Sequence, residues 1–230
     1  MANKYEKMFV PGALTVPEKL PKKNNFCAAS TFQGPKELLL DGYCTPTENQ
    51  GALPYCAAFA ASSFAESVLW RKRGYHKDID PVPLYKYAKT VDGDPDGDGT
   101  TLNAALSALT GKGYFDGKVC KVKTFGGRRY GNAGALNDLK YSIFKYGVCE
   151  IGLDITTQWY CPKGGVIQKG GDSLGGHAIL ACGWDEGGIL ILNSWGANWG
   201  KGGFAYIPNS LFEEQFMYGA TLTHVLDCIG

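Results

Sequence analysis

With 230 residues, 44% of them hydrophobic, the chain can bury a sizeable core as one compact unit or two small lobes, which excludes a disordered protein. Its net charge is only +1 and its densest basic cluster, Arg71-Lys72-Arg73, reads as a solvated helix end, so no nucleic-acid partner is expected. The N-terminus lacks an apolar core followed by a cleavage site, and no run of about 18 apolar residues occurs, which disfavours secretion and a membrane partner alike.

In chain order, residues 1–35 carry Pro11, Pro17, Pro21 and Pro35 with little periodicity. They are expected to form an arm extended over the surface; the other reading is a short plug in a cleft. From Cys56 to Arg73 the apolar positions Ala61, Phe64, Ala65, Val68 and Leu69 recur at helical spacing, and Gly74 is placed to end the segment. The pattern predicts an amphipathic helix with Cys56 at its N-terminus. Two more helices are predicted, one on Leu102, Ala105, Leu106 and Leu109, the other on Leu136, Leu139, Ile143 and Phe144, with Gly113 and Gly147 as stops. After Tyr146 the texture turns to short β-rich runs, at 148–153, 178–183, 189–193 and 204–207. A helical half followed by a strand-rich half predicts an α+β fold. The expected division is an arm over 1–35, a mainly helical lobe over 36–118 and a mainly β lobe over 119–230. Glycines 117, 126, 127 and 131 interrupt any pattern where the lobes would meet.

Cys56 alone would read as a buried thiol, since free cysteine behaves as a small hydrophobe. The company it keeps reverses that reading. A thiol becomes a useful nucleophile when a base takes its proton, a third group holds that base, and donors await the oxyanion. His177, Asn193 and Gln50 can fill those roles, and the helix N-terminus at Cys56 favours an anion.

Three segments carry a family resemblance: Asn49-Gln50-Gly51-Ala52-Leu53-Pro54-Tyr55-Cys56-Ala57-Ala58-Phe59-Ala60, Gly176-His177-Ala178-Ile179-Leu180, and Asn193-Ser194-Trp195-Gly196-Ala197-Asn198-Trp199-Gly200. In these the chain resembles the papain-like (C1) cysteine peptidases. The resemblance implies a two-lobe fold with an active-site cleft, catalytic roles for Cys56, His177, Asn193 and Gln50, and a Trp195 that shields the His177–Asn193 hydrogen bond and borders the substrate. The spacing from Cys56 to His177 runs a little short of the roughly 130–150 residues usual in the family, a modest deletion. The family's local signature also fails, because Tyr55 precedes the nucleophile, Ala57 follows it, and Leu53 stands where secreted members anchor a disulfide. The chain is therefore more similar to the bacterial and archaeal branch without signal peptide or long propeptide. Gly176 stands where many relatives carry Asp or Asn, which leaves the base without a polar neighbour there.

Reserving Cys56 leaves an odd seven of the eight cysteines, so a complete disulfide framework is impossible and a reducing cytoplasm is expected. No Cys-x-x-Cys pair suggests structural zinc. Asp92-Gly93-Asp94-Pro95-Asp96-Gly97-Asp98-Gly99 starts like a calcium loop, but its twelfth position is Asn103 and its eighth Gly99, so an acidic turn is the better reading and no metal or cofactor is expected. By resemblance this turn lies at the cleft wall, where Gly97 and Gly99 allow a substrate backbone to approach. His76 and His224 have no motif around them.

The expected activity is acyl transfer through an acyl-thioester, hydrolysing peptide or amide bonds. The alternative is an amide-forming acyltransferase using the same Cys-His-Asn site on an acyl-thioester substrate, with an acyl carrier protein as partner. An inactive binding module is disfavoured because Cys56, His177 and Asn193 are all present.

Overall fold

The segment that begins at Cys56 is helical to Arg73, and Gly74 ends it in the left-handed region at φ 73°, its N–H closing back on the Trp70 carbonyl. The computed structural model describes residues 12–13, 25–26, 32–115, 117, 121–126 and 134–223. In chain order its elements are β1 (Asn25–Phe26), β2 (Leu38–Leu39), α1 (Cys56–Arg73), α2 (Pro81–Lys89), α3 (Leu102–Gly111), β3 (Lys121–Gly126), α4 (Ala135–Tyr146), β4 (Cys149–Thr156), β5 (Ser173–Asp185), β6 (Gly188–Leu192), β7 (Phe204–Ile207), α5 (Asn209–Gln215) and β8 (Phe216–Thr223).

Eight strands form one sheet in the order β1-β3-β8-β4-β5-β6-β7, with β2 on β5. Every pairing is antiparallel except β1 with β3. The architecture is α+β: α1 packs against β5 and β4 on one side and against α2 and α3 on another. That placement corrects the amphipathic reading of α1. Every residue from Cys56 to Leu69 is buried, because the helix runs between sheet and helices with no face left for solvent. Its polar residues are satisfied inside. The Ser62 and Ser63 hydroxyls donate to Glu48, and Glu66 accepts from the Thr45 hydroxyl and from the Ile79 N–H at 2.6 Å, with His76 at 3.2 Å.

Helices α3 and α4 and strands β4 to β7 form where the periodicity placed them, with one exception in detail. Phe144 of α4 is 56% exposed and leans on Phe32 instead of entering the core. Six elements were not anticipated, the two-residue strands β1 and β2 among them. Pro81 and Pro83 mask α2, although Asp80 caps it by accepting the Val82 N–H and proline is tolerated in a first turn. Strand β3 crosses the glycine-rich stretch read as an interruption, because it pairs along its whole length with β8. Helix α5 and strand β8 follow one another without a turn residue between them. Most of the arm, along with Gly127, Gly131, His224 and cysteines 27, 120 and 228, lies outside the described residues. Among the described residues no helix is long and apolar enough to cross a membrane.

Candidate active site

Cys56 is the first residue of α1, and Tyr55 before it supplies no side-chain cap. The N–H groups that open the helix therefore have no side-chain acceptor at the cap, and that of Ala57 favours the thiolate. His177 lies on β5, paired with Leu153 of β4, and the next residue, Ala178, donates its N–H to Cys56 Sγ at 3.5 Å. Base and nucleophile are thus neighbours across the packing of α1 on β5. Asn193 follows β6 directly. Its Oδ1 lies 2.8 Å from His177 Nε2 and also accepts the Ser194 N–H at 2.8 Å. An oxygen that already accepts one N–H must accept the second from the ring, so Nε2 carries the proton and Nδ1 the lone pair. Nδ1 has no hydrogen-bond partner, which leaves it for the thiol proton.

The ring of Trp195 is 4.8 Å from that of His177, and Trp159 meets it edge-on at 6.4 Å. Trp199 stacks on Trp159 and donates its indole N–H to the Trp159 carbonyl at 2.7 Å. These rings pack against His177, and both His177 and Asn193 are buried. Being buried, Trp195 offers a substrate little surface.

Gln50 is buried beside the site. Its Oε1 accepts the Ser194 hydroxyl at 2.7 Å, its backbone N–H donates to the Ser194 carbonyl at 2.9 Å, and its side-chain amide donates to the Leu53 carbonyl at 2.8 Å. Sequence reasoning missed Ser194, whose place in Asn193-Ser194-Trp195 was the available signal. It ties the loop before Cys56 to the segment that holds His177.

The matching family model is that of the papain family cysteine proteases, over residues 85–217, which is more than half of the chain. The chain belongs to the papain family. His177 and Asn193 fall inside the matched span, and it is the fold that brings Cys56 and Gln50, which precede it, to the same place. Among curated proteins the chain is 33% identical over 112 residues to cathepsin B-like cysteine proteinase 4 of Caenorhabditis elegans, covering 46% of this chain and 33% of that one. It is also 33% identical over 109 residues to a gut-specific cysteine proteinase of the same animal, covering 45% and 32%. The chain thus matches about a third of the length of these relatives. Among solved structures, xylellain, a cysteine protease from Xylella fastidiosa, superposes with a TM-score of 0.68 at 15% identity, covering 94% of this chain and 98% of that one. Digestive procathepsin L2 of Tenebrio molitor gives 0.70 at 18% identity, covering 94% and 78%. The fold is papain-like.

In this papain-family site, burial dominates the electrostatics. It pushes the Cys56 thiol up to about 11, against the N–H groups of Ala178, Gly12 and Ala57, which pull it down. Burial likewise lowers His177 to about 4, against the Asn193 bond. The pull of the helix N-terminus toward a thiolate is outweighed, and the closed site holds a neutral thiol beside a neutral imidazole. Glu150 of β4 is fully buried with neither oxygen hydrogen-bonded, so burial raises its carboxyl well above the usual range.

The acidic turn is spent on itself. Asp92 pairs with Lys89 at 3.0 Å, accepts the Thr100 hydroxyl at 2.8 Å and accepts the Asp94 N–H. A Cβ on Gly97 would fall 2.0 Å from Asp94 Oδ2, so this glycine serves the turn, whereas one on Gly99 would fall 2.0 Å from the Gly12 carbonyl oxygen. Gly99 is thus the one that faces another backbone. Among the described residues the acidic groups that converge are Glu48, Glu66 and Asp78; burial raises Glu48 to about 8, and Glu66 is occupied by Thr45, His76 and Ile79.

Proposed function

We propose that the chain hydrolyses peptide or amide bonds through an acyl-thioester on Cys56. The sulfur attacks the scissile carbonyl carbon while its proton passes to His177 Nδ1. Asn193 holds the ring in the tautomer this needs, and Trp195 covers that bond. Gln50 and the Cys56 backbone N–H receive the oxyanion. His177 then protonates the leaving amine and, in the second half, activates the water that releases the acyl group. The observation that carries this reading is the His177 ring, bonded through Nε2 to Asn193 and bare at Nδ1, next to a cysteine at a helix N-terminus.

Peptide substrates are supported by membership of the papain family. A reducing compartment, the cytoplasm, is supported by Cys44, Cys56, Cys149, Cys161 and Cys182 all being free thiols. Incubation with a peptide library, read by mass spectrometry, should yield cleaved peptides with the parent chain and none with Cys56→Ala. Intact peptides, together with amide product from one particular amine and an activated acyl donor, would replace the peptidase with the acyltransferase.

A further inference from the structure

Cys44 and Cys182 are far apart in sequence and meet inside the fold, both buried and outside the candidate site. The backbone brings them together. Strand β2 pairs with the end of β5, Leu39 opposite Gly183, and the Leu40 N–H then donates to the Cys182 carbonyl at 2.9 Å. Glycine at 183 permits this approach, since a Cβ there would fall 2.1 Å from the Leu38 carbonyl oxygen. A single 3-10 turn over Asp41–Tyr43 follows, with the Tyr43 N–H closing on the Leu40 carbonyl and the Cys44 N–H on that of Asp41. It folds Cys44 back over Leu40, so that the thiol lies 3.5 Å from the Leu40 carbonyl oxygen.

Cys182 reaches the same place from the other side. The register of β5 against β6 shifts between Ala181 and Gly183, which leaves Cys182 at the bulge. Its thiol lies 3.6 Å from the Leu180 carbonyl oxygen and accepts the Leu192 N–H. The two thiols are in hydrogen-bond contact with each other. Sulfur beside sulfur is what a disulfide needs, and the apolar packing of two separate cysteines does not require it. Burial pushes the Cys182 thiol well above its ordinary range, which keeps it protonated and unreactive while the fold is closed.

We propose that Cys44 and Cys182 are a disulfide-forming pair, a modification site separate from the catalytic cysteine and independent of the peptidase reading. In a reducing thiol pool they remain free thiols. With a small-molecule disulfide such as glutathione disulfide as oxidant, one cysteine thiolate displaces a glutathione thiolate to give a mixed disulfide, and the other cysteine thiolate displaces the second. The Cys44–Cys182 bond forms, the oxidant's sulfur–sulfur bond breaks, and the two thiol protons end on two glutathione thiols. The new bond joins β5, which carries His177, to the segment that runs on from Cys44 to Gln50, and it closes a loop of more than half the chain. A loop of that length restricts the unfolded chain strongly, so the oxidised form is the more stable one.

The test equilibrates the full chain with excess glutathione disulfide at the urea concentration of half-unfolding, where buried thiols are reached, and then dilutes it to refold. Remaining thiols are alkylated under denaturing conditions, and the chain is digested without reductant for mass spectrometry. A peptide pair linked through Cys44 and Cys182 is expected. Both cysteines recovered alkylated or glutathionylated, or either one linked to a different cysteine, would overturn the proposal. The linked chain should also unfold at a urea midpoint about 1–2 M above that of the reduced chain, a difference that dithiothreitol and Cys182→Ala each abolish. Equal midpoints for the linked and reduced parent chain would overturn the pair as one the native fold accommodates, and that comparison holds whether or not Cys182→Ala folds.

Discussion

The two sides of the site are built from different material. Around His177 the structure uses side chains: Asn193 on Nε2, Trp195 and Trp159 against the ring, and Trp199 behind them. Around Cys56 it uses backbone: the N–H groups of Ala57, Ala178 and Gly12, with Gly99 and Gly176 cut back to let a strand pass. A wall of packed, hydrogen-bonded side chains has one low-energy arrangement. The base is therefore held by side chains, while the nucleophile is met by backbone.

The largest effect should come where the two sides are tied together. On the proposed mechanism Gln50→Ala removes an oxyanion donor together with the side-chain link to Ser194, so kcat should fall by about 10²–10³ with little change in KM, the usual loss for one such donor. Steady-state kinetics on a cleaved peptide decides it; an unchanged kcat returns Gln50 to packing.

Breaking the side-chain wall should cost stability as well as rate. Asn193→Ala strands the Nε2–H of a fully buried ring, which should lower unfolding free energy by about 1–3 kcal/mol in denaturant titrations. It also removes the bond that raises the His177 pKa, so the imidazole should titrate still lower by NMR. A neutral result would mean that another group holds the ring.

Glu150 sharpens the comparison from beneath, since its buried carboxyl, once ionised, raises the Cys56 thiol further. Its carboxyl is held protonated in the fold and ionises readily in the unfolded chain. Below the unfolded value of about 4.5 both states are protonated and nothing is lost. As pH rises above that value the unfolded state sheds the proton first, and stability falls by about 1.4 kcal/mol per pH unit until the folded carboxyl ionises too. Glu150→Gln should thus match the parent at pH 4 and exceed it progressively toward neutrality in pH-resolved denaturation. Parallel curves would show that the carboxyl has a partner.

The smallest expected effect is a shift in the thiol itself. Fully buried, Cys56 should ionise near 11. Gly12→Leu, which cannot pass Pro54, lets water in, which lowers the pKa, and removes the Gly12 N–H, which raises it. Burial is the larger cause, so the alkylation profile should move to lower pH. A move upward would show that the Gly12 hydrogen bond outweighs hydration.

Much of this was legible in local pattern. Helices α1, α3 and α4 and strands β4 to β7 announce themselves because their apolar residues recur at one period and glycines end three of them. Cys56, His177, Asn193 and Gln50, which the fold brings together, were legible as candidates for another reason: the short motifs around them are specific. The elements that stayed hidden lack a local signature. Prolines masked α2 although its cap is ordinary, and β3 is a strand only because β8 lies alongside it. The same holds for Gly12–Ala13, in a stretch read as an arm over the surface with a plug in the cleft as the alternative. Its partners Thr100 and Gly176 bind through peptide N–H and C=O groups that every residue type possesses, so no residue identity along the arm could reveal them. Burial of α1 on every side and the unpartnered carboxyl of Glu150 are likewise properties of what packs around a residue. Periodicity records which face a segment hides when it hides one; it carries no record of which distant backbone arrives to cover the rest.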